Sequence, residues 1–224
     1  RDYKVTGVQT CALPISFYYV NLEDAVERKE RTEGHLKALG IKNINRIPAT
    51  RHSNGFAGCA QTVSDFLHQV TDGPFVLMED DVEVKNWNPV VEVPDDADAL
   101  YLGISGWGRM NGHSGPFVQW DRVDENLLRV YNMLSGHAIV YLSSEWVEMA
   151  RRCCYHAGYV IESYYDVQIA EVQRFFNIYA IDDPYFYQTS SDGNQKVTYE
   201  KLSTQQSLEC FSYVPQLFLP ERIN

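Results

Sequence analysis

Glu79-Asp80-Asp81 directly follows Phe75-Val-Leu-Met78, placing three carboxylates in a row behind a continuous apolar run. Adjacent carboxylates repel one another, and taking them out of water is costly. Such a cluster is stable when it is solvated, or when a divalent cation neutralises it. The FVLM run reads as a central parallel strand, and open α/β sheets bind ligands at the carboxyl ends of such strands. Glu79 and Asp81, alternating around Asp80, can present oxygens to a metal and to a nucleotide sugar together. A solvated loop accounts for the same triplet, since Asp and Glu are common after strands.

Two further residue groups invite chemistry and have plainer readings beside it. Ser163-x-x-Asp166 has the spacing of a helix capping box, which needs no catalysis. His137 can reach a diphosphate or a metal, yet a lone histidine in an apolar strand is more often a satisfied core residue. Tyr164, Tyr165, Tyr185 and Tyr187 can stack on a sugar face, and aromatic core is their commoner role.

The elements that must position these residues alternate between strand and helix. Phe17–Asn21 reads as a buried strand, and Asp24 precedes a helix that stops at Gly40. Ile44–Ile47 is a second strand. Cys59, Val63, Phe66, Leu67 and Val70 form a helical stripe, and Asp72-Gly73-Pro74 is turn chemistry before FVLM. Ala99–Leu102 reads as a strand ahead of a glycine-rich stretch. Leu127–Met133 and His137–Leu142 read as a pair of strands with Gly136 at the turn between them. Ser143 or Ser144 caps a helix through Tyr155, Ser163 caps another through Phe176, and Ile178–Ile181 is a last strand. From Asp182 onward the chain is aromatic and poorly periodic. Alternating β and α units predict one layered α/β domain over 17–224.

Composition bounds the function. The 224 residues are 45% hydrophobic and 22% charged, as in globular proteins, and no apolar run is long enough for a membrane span. With 19 Lys+Arg against 30 Asp+Glu the net charge is -11, which argues against a general polyanion-binding surface. An acidic chain can still hold an anionic ligand through a bridging cation. Five cysteines, at 11, 59, 153, 154 and 210, show no metal spacing and suit a reducing compartment.

Residues 5–16, VTGVQTCALPIS, resemble the translation of a common sequencing adaptor. Residues 1–16 are therefore expected to be non-native, with the natural N-terminus missing. A genuine strand over VTGVQT is the alternative. Without Arg1, Asp2 and Lys4 the balance becomes 17 against 29, or -12.

An ordered set of segments resembles glycosyltransferase family 25, which includes lipooligosaccharide and procollagen galactosyltransferases. These are Phe17-Tyr-Tyr-Val-Asn21-Leu22 with Arg28 and Arg31, Arg46-Ile-Pro-Ala-Thr50, Gly58-Cys59-Ala60, and Phe75 to Val82. Gly136 to Ser143 and Tyr165-Asp166-Val-Gln-Ile complete the set, which runs from Phe17 to about Gln188. Departures accompany it. Thr62-Val63 stand where the family commonly has Ser-His, Asp166 lacks a preceding Pro-Val, and the C-terminal region has no obvious match.

The resemblance implies a GT-A-like, Rossmann-type nucleotide-diphospho-sugar transferase fold, with a mixed, mostly parallel sheet flanked by helices. It implies a hexosyltransferase, inverting in stereochemistry, that takes galactose or glucose from a UDP-sugar with Mn²⁺ or Mg²⁺ as cofactor. Asp81 is the implied direct metal ligand. Glu79 and Asp80 hold the metal through water or contact the ribose. Asn21, Arg28, Thr50 and His137 lie by the nucleotide, and Asp166 is the general base. Arg28 also suits the polar face of a charged helix.

The implied acceptor is a hydroxyl on a bacterial surface glycan, as in lipopolysaccharide biosynthesis. That places the chain in the cytoplasm or peripherally at the membrane. Hydroxylysine or a hydroxymethylated nucleobase is the alternative acceptor, with nucleic acid disfavoured by the charge. A nucleotide-binding pseudoenzyme and a metal-dependent phosphohydrolase or nucleotidyltransferase are the other classes in play.

Overall fold

The computed structural model describes residues 8–12, 15–70, 73–85, 87–88 and 90–188. Cys210, most of the C-terminal region and Asp72 of the expected turn lie outside them. In chain order the elements begin with β1 (Val8–Ala12), β2 (Ser16–Asn21), α1 (Val26–Ala38), β3 (Ile44–Pro48), α2 (Gly55–Gln69) and β4 (Phe75–Glu79). Next come β5 (Val82–Val84), β6 (Val90–Pro94), β7 (Ala99–Tyr101), β8 (Gly108–Met110), β9 (His113–Gly115), β10 (Trp120–Arg122), β11 (Leu127–Val130) and β12 (Ala138–Tyr141). The described chain ends with α3 (Ser144–Tyr155), α4 (Tyr165–Val172), β13 (Ile178–Ile181) and β14 (Phe186–Gln188). One π-helical turn, His156–Val160, joins α3 to the loop before α4.

Eight strands form the main sheet, in the order β10-β11-β13-β7-β12-β4-β2-β3. The ladders β2–β3, β2–β4 and β13–β7 are parallel. Those of β12 with β4 and β7, and of β11 with β10 and β13, are antiparallel. The sheet is therefore mixed: only β11 and β12 run against the other strands. The expected strand pair 127–133 and 137–142 does not form as neighbours, because β13 and β7 lie between β11 and β12. β12 is buried along its whole length between β7 and β4, whereas β11 pairs with the buried β13 on one side and the exposed edge strand β10 on the other.

Strand periodicity divides the core into two layers. Val20, Phe75, Leu77, Tyr101, Ile139 and Tyr141 face a cluster with Val63, Leu67, Trp146, Ala150 and Ile169 of α2, α3 and α4. Phe17, Tyr19, Val76, Met78, Leu100 and Val140 face the opposite cluster, where Leu36 of α1 packs. Helices thus flank both faces of the sheet.

Of α1–α4, two open on side-chain caps and two do not. Asn54 accepts from the Phe56 amide to open α2, and Ser143 accepts from the Trp146 amide to open α3. Asp24 does not cap α1; Ala25 occupies that position with no side-chain bond, and Asp24 pairs with Arg51. Ser163 does not cap α4 either, because the helix begins one residue later, from Tyr164, without a side-chain cap. The backbone of β1 pairs with that of β6, and Ser16 already belongs to β2; an open edge accepts any extended segment, so this pairing says nothing of the segment's origin.

Candidate functional site

The period of two that sorts the core also sorts the acidic triplet. Glu79 continues the Phe75–Leu77 row toward α2 and α4, whereas Asp80 continues the Val76–Met78 row toward α1. The three carboxylates therefore do not act as one cluster.

Asp80 is committed within the protein. It is 6% exposed, accepts from Asn21 Nδ2 at 2.5 Å, and faces Arg28 Nη1 at 3.1 Å. Its backbone carbonyl accepts from the Thr32 hydroxyl. Asn21 is 2% exposed, and its side chain also donates to the Ala25 carbonyl and accepts from Arg46 Nε. These bonds tie the ends of β2, β3 and β4 to α1. Asn21, Arg28 and Asp80 thus sit together as expected, in a network whose contacts are internal.

Glu79 and Asp81 are brought together by a residue that the sequence pattern does not single out. Gln188 Nε2, at the end of β14, donates to Glu79 Oε2 at 2.8 Å and to Asp81 Oδ2 at 3.3 Å. One oxygen of each carboxylate therefore faces the same point. The other Glu79 oxygen accepts from the Tyr165 hydroxyl at 2.9 Å, and that hydroxyl also lies 3.2 Å from the Gly136 carbonyl. Burial, reinforced by Asp81, raises the Glu79 pKa although Tyr165 opposes the shift. Burial and the neighbouring Asp80 raise that of Asp81, against the Gln188 bond and Arg28. Both groups are costly to keep ionised without a cation.

Asp166 stands in the first turn of α4, next to Tyr165. Desolvation raises its pKa, and the amides of Val167 and its own backbone pull against that. Its charge acts on Glu79, so the two belong to one electrostatic environment. Ser163 is not the N-cap, so the Ser163–Asp166 capping box does not form, although the amides of the first turn of α4 still give the Asp166 carboxylate a structural role at the helix start. Cys59, on α2, feels Glu79, Asp81, Asp80 and Asp166, and desolvation drives its thiol pKa well up.

Thr50 and His137 are held by contacts within the fold. The Thr50 amide donates to Thr62 Oγ1 at 2.7 Å, and that hydroxyl donates to the Gly58 carbonyl. Thr62 thus anchors the loop that carries Thr50, and Val63 is core. His137 lies 3% exposed, with Nδ1 3.0 Å from the Ser135 hydroxyl and Nε2 against Gly103. Desolvation lowers its pKa to about 4, so it is a neutral core group at physiological pH. At the rim, Phe56 and Tyr164 are exposed with ring centroids 3.8 Å apart.

Among the described residues, no group of three or more His, Cys, Asp or Glu side chains is arranged to hold a metal ion. Nor, among them, is any helix long and apolar enough to cross a membrane.

No family model matches the chain, and no curated protein does. Among solved structures, a UTP-bound UGPase from Acinetobacter baumannii aligns at 11% identity with a TM-score of 0.39, covering 74% of this chain and 63% of that one. The chain thus spans less than two thirds of that enzyme, and a likeness so distant carries no argument about activity.

Proposed function

We propose that the chain is a metal-dependent, GT-A-like glycosyltransferase that moves galactose or glucose from a UDP-sugar to an acceptor hydroxyl, with inversion. A surface glycan is the acceptor we favour. The observation that carries this reading is the convergence of Glu79 Oε2 and Asp81 Oδ2 on one point at the carboxyl end of β4, bridged by a single amide nitrogen.

The donor set suits Mn²⁺ or Mg²⁺. Such ions are commonly held by one or two carboxylates together with substrate phosphates and water, rather than by an all-protein cage. Asp81 and Glu79 would hold the ion, and Asp80, already neutralised by Arg28, would not. When bound, the ion offsets the charge that grows on the departing diphosphate.

The chain's own residues supply the rest. The Asn21–Asp80–Arg28 network fixes the ends of β2 and β4 where the nucleotide is expected, at the carboxyl edge of the sheet. Asp166 takes the proton from the acceptor hydroxyl as its oxygen attacks the sugar. A desolvated carboxylate with a raised pKa is a stronger base for that transfer than one in water. His137 stays neutral beneath the site and contributes packing.

Isothermal titration of the chain with UDP, with and without MnCl₂, tests the reading. Binding that requires Mn²⁺ and disappears in Asp81→Asn supports it; equal UDP binding with and without the cation contradicts it.

A further inference from the structure

We infer that the stacked rings of Phe56 and Tyr164 form a saccharide platform, on which the acceptor lays the C–H face of a pyranose. As an acceptor subsite it rests on the transferase reading above. The two residues are 51% and 46% exposed, with ring centroids 3.8 Å apart and planes 32° from parallel. Phe56 stands in the first turn of α2 and Tyr164 immediately precedes α4, so the pair straddles two helix starts. Tyr165 turns inward, its hydroxyl on Glu79, while Asp166 keeps part of its surface in solvent. A ligand on the rings therefore lies within about one helical turn of the group assigned to take the acceptor's proton.

The loop that carries Tyr164 is braced against α2. Gln61 Nε2 donates to the Gly158 carbonyl at 2.9 Å, and Asn54 Nδ2 donates to the Glu162 carbonyl at 2.6 Å. The Ser163 amide closes on the Ala157 carbonyl at 2.8 Å. Glu162 has a φ of 48°, a left-handed conformation that costs energy in a residue other than glycine. Rings fixed in this way lose little freedom when a ligand settles on them. Local charge selects that ligand. Residues 52–70 and 153–173, which carry the two rings, contain Asp65, Glu162, Asp166 and Glu171 and no lysine or arginine. A phosphate-bearing nucleic acid is repelled there. Uncharged sugar hydroxyls donate to carboxylates, and pyranose C–H groups meet the electron-rich faces of aromatic rings.

Saturation-transfer difference NMR with lactose, maltose and chitobiose tests this, alongside calorimetric UDP binding, thermal midpoints and sedimentation. The expected result is saturation of the pyranose C–H protons of at least one of the three in the wild-type chain. Phe56→Ala and Tyr164→Ala each weaken that sugar by roughly 5- to 30-fold, the loss of one aromatic stacking contact, with UDP affinity unchanged. Phe56→Tyr keeps the ring and retains binding. So does Phe175→Ala, which removes a similarly exposed aromatic beyond the far end of α4. Binding of none of the three to the wild-type chain, or equal affinity in folded Phe56→Ala, overturns the inference and leaves the nucleotide reading standing. Self-association that vanishes in Phe56→Ala, without sugar binding, overturns it too and gives the rings to a second copy covering the exposed Val160 and Ile161. Ring-dependent sugar binding in a chain that binds no UDP overturns the transferase reading and leaves the platform as a saccharide site.

Discussion

Replacing Asp80 and Asp81 separately by asparagine should give opposite phenotypes, although the residues are neighbours. Asp80 spends one oxygen on Asn21 and the other on Arg28. Asparagine supplies a single acceptor there, so its NH₂ group faces a donor. The Arg28 guanidinium is 31% exposed, and the ion pair is discounted for screening to ~0.5–1 kcal/mol. Leaving a buried group mismatched adds ~1–2 kcal/mol. The sum, about 1.5–3 kcal/mol, lowers the thermal midpoint by ~3–12 °C for a domain of this size. Asp81→Asn removes a charge that burial already disfavours, so its midpoint in metal-free buffer at pH 8 stays level or rises. Thermal denaturation with EDTA, and then with MnCl₂ and UDP, reads both effects. The ligand-induced rise, ~3 kcal/mol at one hundred times the dissociation constant, persists in Asp80→Asn and vanishes in Asp81→Asn. An Asp80→Asn variant of wild-type stability that has lost the ligand response would refute the assignment of Asp80 to the framework.

Three further outcomes are expected. Asp166→Asn should lower kcat about 10²- to 10⁴-fold with UDP affinity unchanged, as steady-state kinetics and calorimetry would show; loss of UDP binding instead would place Asp166 at the nucleotide. Glu79 has a raised folded-state pKa, so its protonated form stabilises the fold below its ordinary value near 4.5, and that contribution fades as pH rises through the raised value. Metal-free Glu79→Gln should therefore gain stability relative to wild type between pH 4.5 and 8, and saturating MnCl₂ should reverse the order; a pH-independent difference between the two melting curves would contradict the shift. Gly58→Ala sets a Cβ 2.6 Å from the Thr50 carbonyl oxygen and 3.0 Å from His52 Cβ. It should cost ~1–3 kcal/mol by chemical denaturation and displace the Thr50 loop, whereas Gly34→Ala, with open space around it, should not destabilise.

Much of this arrangement is legible in the sequence because short-range patterns specify it. FVLM marks a strand buried on both faces, and the stripe from Cys59 to Val70 marks α2. The alternation through Phe75–Asp80 even contains the division of the triplet, since odd and even positions face opposite helical layers. Its meaning stays hidden until α1 is seen to bring Arg28 to Asp80. Sequence spacing misleads where tertiary packing decides: Ser163 has capping-box spacing, yet α4 starts after Tyr164. Likewise the strands either side of Gly136 are close in sequence but separated by β13 and β7. Tyr165 and Gln188 reach Glu79 across 86 and 109 residues, and no local periodicity encodes such a bond. In the sequence Tyr165 stands out only as an aromatic beside Asp166, and neither feature points to Glu79.

The most direct test of the central claim is UDP release from UDP-galactose and UDP-glucose by the wild-type chain with MnCl₂, with EDTA, and in the Asp81→Asn variant. Slow donor hydrolysis needs no acceptor, so none has to be supplied. The expected result is release from one of the two sugars, abolished by EDTA and by the substitution. Release that persists in EDTA, or in Asp81→Asn, would contradict it.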